Sequence, residues 1–575
     1  MARLDWRNWE DVEQRQEGEA AKPLLLLIGA PWCRHTGHLE ACVLEESPSA
    51  DALAERFFLV RVDREQQPEV AQRYAGTAWP AVAIVRSDLE PWATVSNLAD
   101  ESIQSFLAVV LERWSEGQPE ATSLLEFRPD PPAEDEDSTF SSKIVSEVAH
   151  IMLESFDGKD GGFGTGQKFP HPEVLDFAIL NYAKTSDAAY SQVVHKTLSA
   201  MSRGGLFDPV SGGFFRYCGT RDWRQPDTEM RLEIQSGLLR NYLEASQLLD
   251  RNEFRRVAQK VVSCIEHGLR DPETGIWRGS RDADDAFYSL GETERADRKP
   301  PRIEGLSYTS SVAMTVSSLF KAARVLDESV LSDRAREALH FLLDHCYVPG
   351  KGMYHSWDGN PQILGLLPDQ LYMARALLHA MQYTGDNSYL SIAEDLIETF
   401  GAKESSAHGG FYDVAEDDAR FAQVRGRNTT ILENGLAAEV LLRAYYLTGH
   451  EDYRDCARRT LEAFAKDFKK YGYHSAAYGR SVELFFHDPM QVIVLGAKDD
   501  PRCSELLGAA QRTYVSSKIV IAIDPATEPE LLERLRLPVR DGSRAFVALE
   551  HGFAAECSDP AELSAAMMAV ESQRS

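Results

Sequence analysis

The chain has 575 residues, 43% of them hydrophobic and 26% charged, with a formal charge of −29. That length exceeds one ordinary core, so two or three domains are expected. The acidity, with no dense Lys/Arg cluster against it, excludes nucleic acid as a partner.

No apolar run is long enough to cross a bilayer, and the opening "MARLDWRNWEDVEQRQEGEAAK" lacks the basic start and apolar core of a signal peptide. A cytoplasmic protein without membrane partners is expected. The acidity itself fits solubility of a large chain or salt adaptation of its source.

Residues 22 to 115 read as α/β. "PLLLLIGA" suits a central strand, "HLEACVLEESPSADALAERF" a helix, "FFLVRVD" a second strand, "PEVAQRYAG" a short helix and "AVAIVRSD" a third strand, with "SIQSFLAVVLERWSEG" as a closing helix. An active-site candidate, Cys33, follows the first strand, and Trp79-Pro80 precedes the third. This is the order of a thioredoxin-like domain, in which Pro80 is expected to be cis.

The domain is bounded at 1–125. A linker follows at 126–140, where "RPDPPAEDEDSTF" combines proline and acid with little to bury. Residues 141–482 then hold close to twelve amphipathic segments with apolar residues three and four apart.

Between alternate segments a loop repeats glycine followed by aromatic residues: "DGGFG", "SGGFFRY", "TGIWRGS", "KGMYHSWDG", "HGGFYD" and "YGYHS". Six such loops among twelve helices predict helix hairpins closed into an (α/α)6 toroid, with the loops gathered at one mouth. The tail at 483–575, with "MQVIVLGA", "KIVIAID" and "RAFVALE" as strands, reads as a small α/β appendage.

The eight cysteines show no C-x-x-C and no zinc-like spacing, so neither a disulfide framework nor structural zinc is expected. "DPETG" and "DADD" do not follow a calcium loop. No metal and no cofactor are predicted.

The pieces "VDREQQPEV", "WPAVAIV", "GGFGTGQKFPHPEVL", "GGLFDPVSGGFFRY", "RDADDAFYSLG" and "NGLAAEVLLRAYYLTGHEDY" span nearly the whole chain. In them it resembles the spermatogenesis-associated thioredoxin-like proteins of animals and their bacterial counterparts. The resemblance implies a thioredoxin-like domain joined to a six-hairpin-glycosidase-like barrel, a redox-like module beside a sugar-processing-like one.

The departures from the family pattern carry information. Where the family has C-H-W-C-H-V-M-E, this chain has Cys33-Arg34-His35-Thr36-Gly37-His38-Leu39-Glu40, so Thr36 replaces the resolving cysteine. Dithiol exchange needs two thiols in reach, which excludes a two-cysteine oxidoreductase unless Cys42 or a distant thiol substitutes. The family's cysteine pair in the tail is replaced by Glu550 and Ala555, with Cys557 offset by two, and its P-H-F-E-K-M becomes Pro226 to Arg231, which keeps Glu229.

Three readings follow. In the first, the barrel mouth binds or processes a sugar or other small molecule, with Glu229 as general acid, Asp282 or Asp284 as partner, and His355 and His408 as a proton-exchanging pair. Two carboxylates placed roughly 5 to 9.5 Å apart would serve hydrolysis. Arg216, Tyr217, Trp223, Trp277, Tyr288, Tyr354, Trp357 and Tyr412 would contact substrate, with Asp222, Asp358 and Asp413 as further acids.

In the second, Cys33 is a monothiol that uses glutathione or a protein client. Helix-end N–H groups and Arg34 favour its thiolate, and Pro80 lies against it. The third makes both sites relics of a scaffold. For each acid singly, capping of loop or helix N–H groups is the competing role.

Overall fold

The computed structural model describes residues 4–12, 14–75, 79–96, 100–115, 139–401, 403, 409–414, 429–534, 542–549 and 552–574. The chain forms two compact units, Met1–Pro131 with Tyr412–Thr429, and Pro132–Phe411 with Thr430–Ser575. Most of the linker read at 126–140, and His408 with it among the candidate residues, lies outside the described residues.

In the first unit, strands β1 (Arg7–Asn8), β2 (Leu24–Gly29), β3 (Phe58–Asp63), β4 (Ala81–Val85) and β5 (Pro91–Ser96) lie in the order β1-β3-β2-β4-β5. β2 runs parallel to β3 and antiparallel to β4. Every residue of β2 is buried, since both faces of the sheet are covered.

Leu25 and Leu27 pack with Phe106 and Leu107 of α4 (Asp100–Ser115), while Leu24, Leu26 and Ile28 join Val70 and Tyr74 of α3 (Pro68–Ala75) on the other face. The strand's two-residue period divides one apolar run between two cores. This is a thioredoxin-like domain. After β2 the chain passes Cys33 into α1 (Arg34–His38), which continues as a π-type turn over Leu39–Glu45, and α2 spans Ala50–Arg56.

Among the described residues of the second unit, twelve helices of three turns or more alternate between an outer and an inner ring. The outer helices are α5 (Lys143–Ser155), α7 (Ala188–Arg203), α9 (Asn252–Cys264), α11 (Ser329–Cys346), α13 (Ser388–Gly401) and α15 (Glu451–Glu462). The inner ones are α6 (Pro172–Thr185), α8 (Leu232–Leu248), α10 (Thr309–Leu326), α12 (Leu367–Thr384), α14 (Ile431–Thr448) and α16 (Ala476–Phe486).

Each inner helix touches the next, and α16 returns to α6, so the ring closes as an (α/α)6 toroid. Local chemistry sets the helix ends. Thr430 accepts the Glu433 N–H at the start of α14, and Gly385 and Gly449 take left-handed backbone after α12 and α14. Among the described residues no helix is long and apolar enough to cross a membrane.

The tail forms the small α/β region expected of it, and one face of its sheet joins the barrel core. Strands β8 (Met490–Leu495), β9 (Lys518–Ile523), β10 (Arg544–Leu549) and β11 (Gly552–Cys557) form a sheet in the order β9-β8-β10-β11, while β6 (Gly352–Trp357) and β7 (Pro361–Leu364) form a hairpin in the barrel. One face of the C-terminal sheet, including Ile493, Leu495, Ile519, Ile521 and Phe546, belongs to the barrel core. Its other face packs on α17 (Pro501–Arg512) and α19 (Pro560–Arg574); α18 spans Pro529–Arg534.

Polar bonds fix the docking. The Val520 N–H donates to Gln382 Oε1 (3.1 Å), and Gln511 Nε2 donates to the Gln382 and Tyr383 carbonyls (2.8 and 2.9 Å). The C-terminal region thus floors the ring at the C-terminal ends of its inner helices, and it shares their compact unit.

Candidate functional site

The glycine-aromatic loops, expected to present rings to a ligand, turn those rings inward. Phe163, Phe214, Trp277 and Phe411 are all buried in the barrel core. Two devices hold them there.

An aspartate at the head of each of three loops closes a tight turn: the Gly161, Gly212 and Gly275 N–H groups donate to the Asp157, Asp208 and Asp271 carbonyls (2.8, 3.1 and 2.9 Å). Their carboxylates take up the remaining turn donors and an arginine each, Arg221, Arg295 and Arg278.

The second device is an amide on the inner helix that clamps the residue after the glycine. Gln235 accepts from Phe214 N–H (2.7 Å) and donates to Phe214 O (2.6 Å). Gln370 clamps Met353 (2.7 and 3.1 Å) and Asn434 clamps Phe411 (2.6 and 3.1 Å) in the same way. Gly213 and Gly352 leave no room for a Cβ against these amides, and both have positive φ.

This corrects the substrate-contact expectation at two residues. Trp277 is fully buried and donates to Glu266 Oε1 (3.2 Å). Trp223 is fully buried and donates to the Asp160 carbonyl (3.0 Å). Neither offers a ring face to a ligand.

The other nominated residues scatter. Glu229 is buried with Arg216 at 3.5 Å. Asp282 pairs with Arg302 (2.9 Å), and Asp284 accepts the Phe287 N–H (2.9 Å) as the cap of a short helix, the competing role foreseen for it. His355 donates from Nδ1 to the Asp369 carboxylate at 2.8 Å, and its ring lies 5.4 Å from that of Tyr308.

Tyr288 packs edge-on to Phe215, and Tyr217 stacks on Phe169 at 4.9 Å. Trp357 meets Phe341 and His345 edge-on. Tyr354 is half-buried on β6, and Tyr412 is half-buried and grouped with the first unit. Asp222, Asp358 and Asp413 bond within their own loops, to Thr220, Gln362 and the Val414 N–H. Among the described residues, the rings of His171 and His474 lie 5.2 Å apart; burial and His474 bring His171 down to about 3.

What the fold does gather lies on the barrel axis. A chamber of about 170 Å³ runs between the inner helices, from first-turn residues Pro172, Glu173 and Leu432 to Gln511 and Lys518 of the floor. None of Glu229, Asp282, Asp284, His355, Tyr217, Tyr288, Tyr354 and Trp357 lines it.

Its acids are Glu173, Asp176, Glu244 and Glu439, and its bases are Arg240, Lys321, Arg375, Arg443, Arg480 and Lys518. Asp176 lies 3.1 Å from Arg240 and 3.2 Å from Arg480. Glu244 is shared by Arg240 (3.3 Å) and Lys321, and Glu439 by Arg443 (2.8 Å) and Arg375 (3.7 Å).

Burial opposes ionisation of Glu244, but Lys321 and Arg240 override it and hold the carboxyl well below the usual range. Burial raises Glu173. Burial, together with Arg443 and Arg375, keeps His379 well below the usual imidazole value, so its ring stays neutral. Burial and Lys321 bring Lys518 down to about 7, yet its Nζ donates to the carbonyls of Ala510, Gln511 and Thr513, which selects the ammonium form.

Four polar atoms of this wall have no hydrogen-bond partner among the described residues: His379 Nδ1, Arg375 Nε, Ser317 Oγ and Gln511 Oε1. A sequence signal for the chamber existed. Inner helices of otherwise apolar character carry charged or titratable residues four apart, Arg240 with Glu244, Arg375 with His379, and Glu439 with Arg443. Among the described residues no group of three His, Cys, Asp or Glu side chains gathers as a metal site.

In the first unit, Cys33 is 2% exposed and stands at the N-terminus of α1, where its carbonyl accepts the Thr36 and Gly37 N–H groups (3.0 and 3.2 Å). The Thr36 hydroxyl accepts the Ala30 N–H (3.3 Å) and is itself buried, so the residue in the resolving position closes the turn as a structural bond. The Trp79–Pro80 bond is cis, and Trp32 meets Trp79 edge-on at 5.4 Å.

Alkylation of the native protein at neutral pH is expected to modify exposed Cys42 first and to leave Cys33 protected until unfolding. Mass mapping of labelled peptides checks this. A Cys33 that reacts as fast as Cys42 would restore the monothiol reading.

Comparisons agree with the two-part architecture. The Thioredox_DsbH family, described as a protein of unknown function, DUF255, matches residues 1–121. Human spermatogenesis-associated protein 20 is 22% identical over 97% of this chain and 89% of its own.

Among solved structures, the cellobiose 2-epimerase of Bacillus thermoamylovorans aligns with a TM-score of 0.47 at 13% identity, over 56% of this chain and 86% of its own. A D-mannose isomerase aligns with a TM-score of 0.48 at 13% identity, over 61% of this chain and 98% of its own. These structural neighbours are carbohydrate-active enzymes.

Proposed function

Because the chain belongs to the spermatogenesis-associated thioredoxin-like family, we propose that it is a carbohydrate-binding protein that works through the axial chamber of its (α/α)6 barrel, beside a thioredoxin-like domain without redox turnover. The observation that carries this reading is the chamber wall. It brings charged groups, amides, hydroxyls and a neutral imidazole around one enclosed space.

A wall this rich in charged and polar side chains suits a ligand rich in both donors and acceptors. A monosaccharide unit meets that need with several hydroxyls on a small frame. Apolar ligands of the same size would strand the wall. His379, neutral and lining the chamber, is placed to share a hydrogen bond with a bound hydroxyl.

The redox alternative is weakened by the burial of Cys33 and by the structural bond of Thr36. Glu229, Asp282 and Asp284 lie outside the chamber wall and are left to loop architecture in this reading.

Calorimetric titration of the full chain with a panel of monosaccharides tests it. Binding that falls at least tenfold in His379→Ala, and is unchanged in Cys33→Ser and Asp282→Asn, is the expected outcome. Silence of the whole panel would count against the reading, as would binding that survives His379→Ala but disappears with Trp357→Ala.

A further inference from the structure

Resting on the carbohydrate reading of the chamber, we infer that its ligand is an anionic sugar, a hexose carrying a carboxylate or phosphate. The whole chain has 90 acidic against 61 basic residues, yet the chamber wall reverses that balance with six bases and four acids.

The reversal lies inside the ion-pair network. Asp176, Glu244 and Glu439 face five cations, because Arg240 serves both Asp176 and Glu244 while Arg480, Lys321, Arg443 and Arg375 each hold one acid. Glu173 and Lys518 stand at opposite ends of the chamber and do not pair. By formal charge the cations of the wall exceed its acids by two.

Burying uncompensated charge is costly, and the cost is relieved by a counter-charge brought into the same space. Among the cations that hold an acid, Arg375 is the most loosely paired, with the nearest carboxylate oxygen 3.7 Å away. A planar guanidinium with donors to spare suits the two oxygens of a carboxylate or phosphate. Inner-helix first turns also line the chamber, and their N-terminal ends add positive potential.

The test is titration of the full chain with D-glucose, D-galactose and D-mannose, with their uronates and 6-phosphates, and with inorganic phosphate, at low and high NaCl. The charged forms are expected to bind at least tenfold tighter than their neutral parents, with the advantage shrinking in high salt. Arg375→Gln should remove most of that advantage. Arg375→Lys, which keeps the charge and gives up the planar fork, should retain only part of that advantage and stands as the test should Arg375→Gln fail to fold.

Equal affinity for neutral and charged sugars would overturn the inference and leave the carbohydrate reading intact. Inorganic phosphate as tight as the hexose 6-phosphates would overturn the sugar half of the proposal, and failure of every compound would overturn both.

Discussion

Asp157→Ala is expected to destabilise the barrel by about 3 to 5 kcal/mol, the range for removing one partner of a buried ion pair. Lys168 and Asp157 are 2.9 Å apart with side chains 0% exposed, so the substitution strands an ammonium in the core. Arg221 loses a two-bond contact to the same carboxylate, at 2.6 and 2.7 Å, and the loop loses the caps on Lys159 and Asp160 N–H (2.9 and 3.1 Å).

The arginine bonds and Lys168 hold the Asp157 carboxyl well below the usual carboxylate range against the effect of burial. Since the folded-state pKa is depressed, the stabilising effect is complete above the unfolded value near 4 and is lost as pH falls below it. The gap between wild type and Asp157→Ala should therefore be constant from neutral pH to about pH 5 and narrow toward pH 3. Urea denaturation at a series of pH values checks both statements; a loss under about 1 kcal/mol at neutral pH would show that the loop aspartates are not what fixes the rings inside.

The helical ring and the thioredoxin-like sheet were legible in the sequence because burial is written locally, as a period of three to four residues in the helices and as the continuous run "LLLLIG" in β2. The loops were legible as a repeat but not in their direction. Whether Phe214 turns inward depends on Gln235, 21 residues further on, whose amide grips its backbone. No local pattern announces that grip.

The chamber was missed for a related reason. Arg240, Glu244, Arg375, His379, Glu439 and Arg443 sit in segments read as amphipathic helix, where a charge passes for part of the solvent face until the ring brings it opposite the others. Asp284 drew attention in an acid-rich loop and Glu229 as the carboxylate kept from the family segment, but Asp284 caps a turn and Glu229 sits beside Arg216 outside the chamber wall. Thr36 was readable as the loss of a thiol; its gain of the Ala30 bond was not, because the hydroxyl reaches back to a residue that precedes the turn.

Trp223→Ala separates the two accounts of the aromatic residues. As a ligand platform, Trp223 would lose affinity and little stability when cut back. As the core residue found here, it should lose about 3 to 5 kcal/mol of stability, the range for truncating a buried tryptophan. The larger figure is favoured by its surroundings. Its ring leaves no space for a Cβ on Gly162, its own Cβ crowds Gly204, and its indole N–H satisfies the Asp160 carbonyl, so the cavity is walled by backbone that has little freedom to collapse. Trp357, half-buried and held edge-on by Phe341 and His345 at 5.5 and 5.1 Å, should lose less when cut back in the same way. Denaturation midpoints of the two variants beside their monosaccharide titrations give the answer: a Trp223→Ala protein as stable as wild type but unable to bind would return the site to the loops, whereas a destabilised protein whose folded fraction still binds keeps it on the axis.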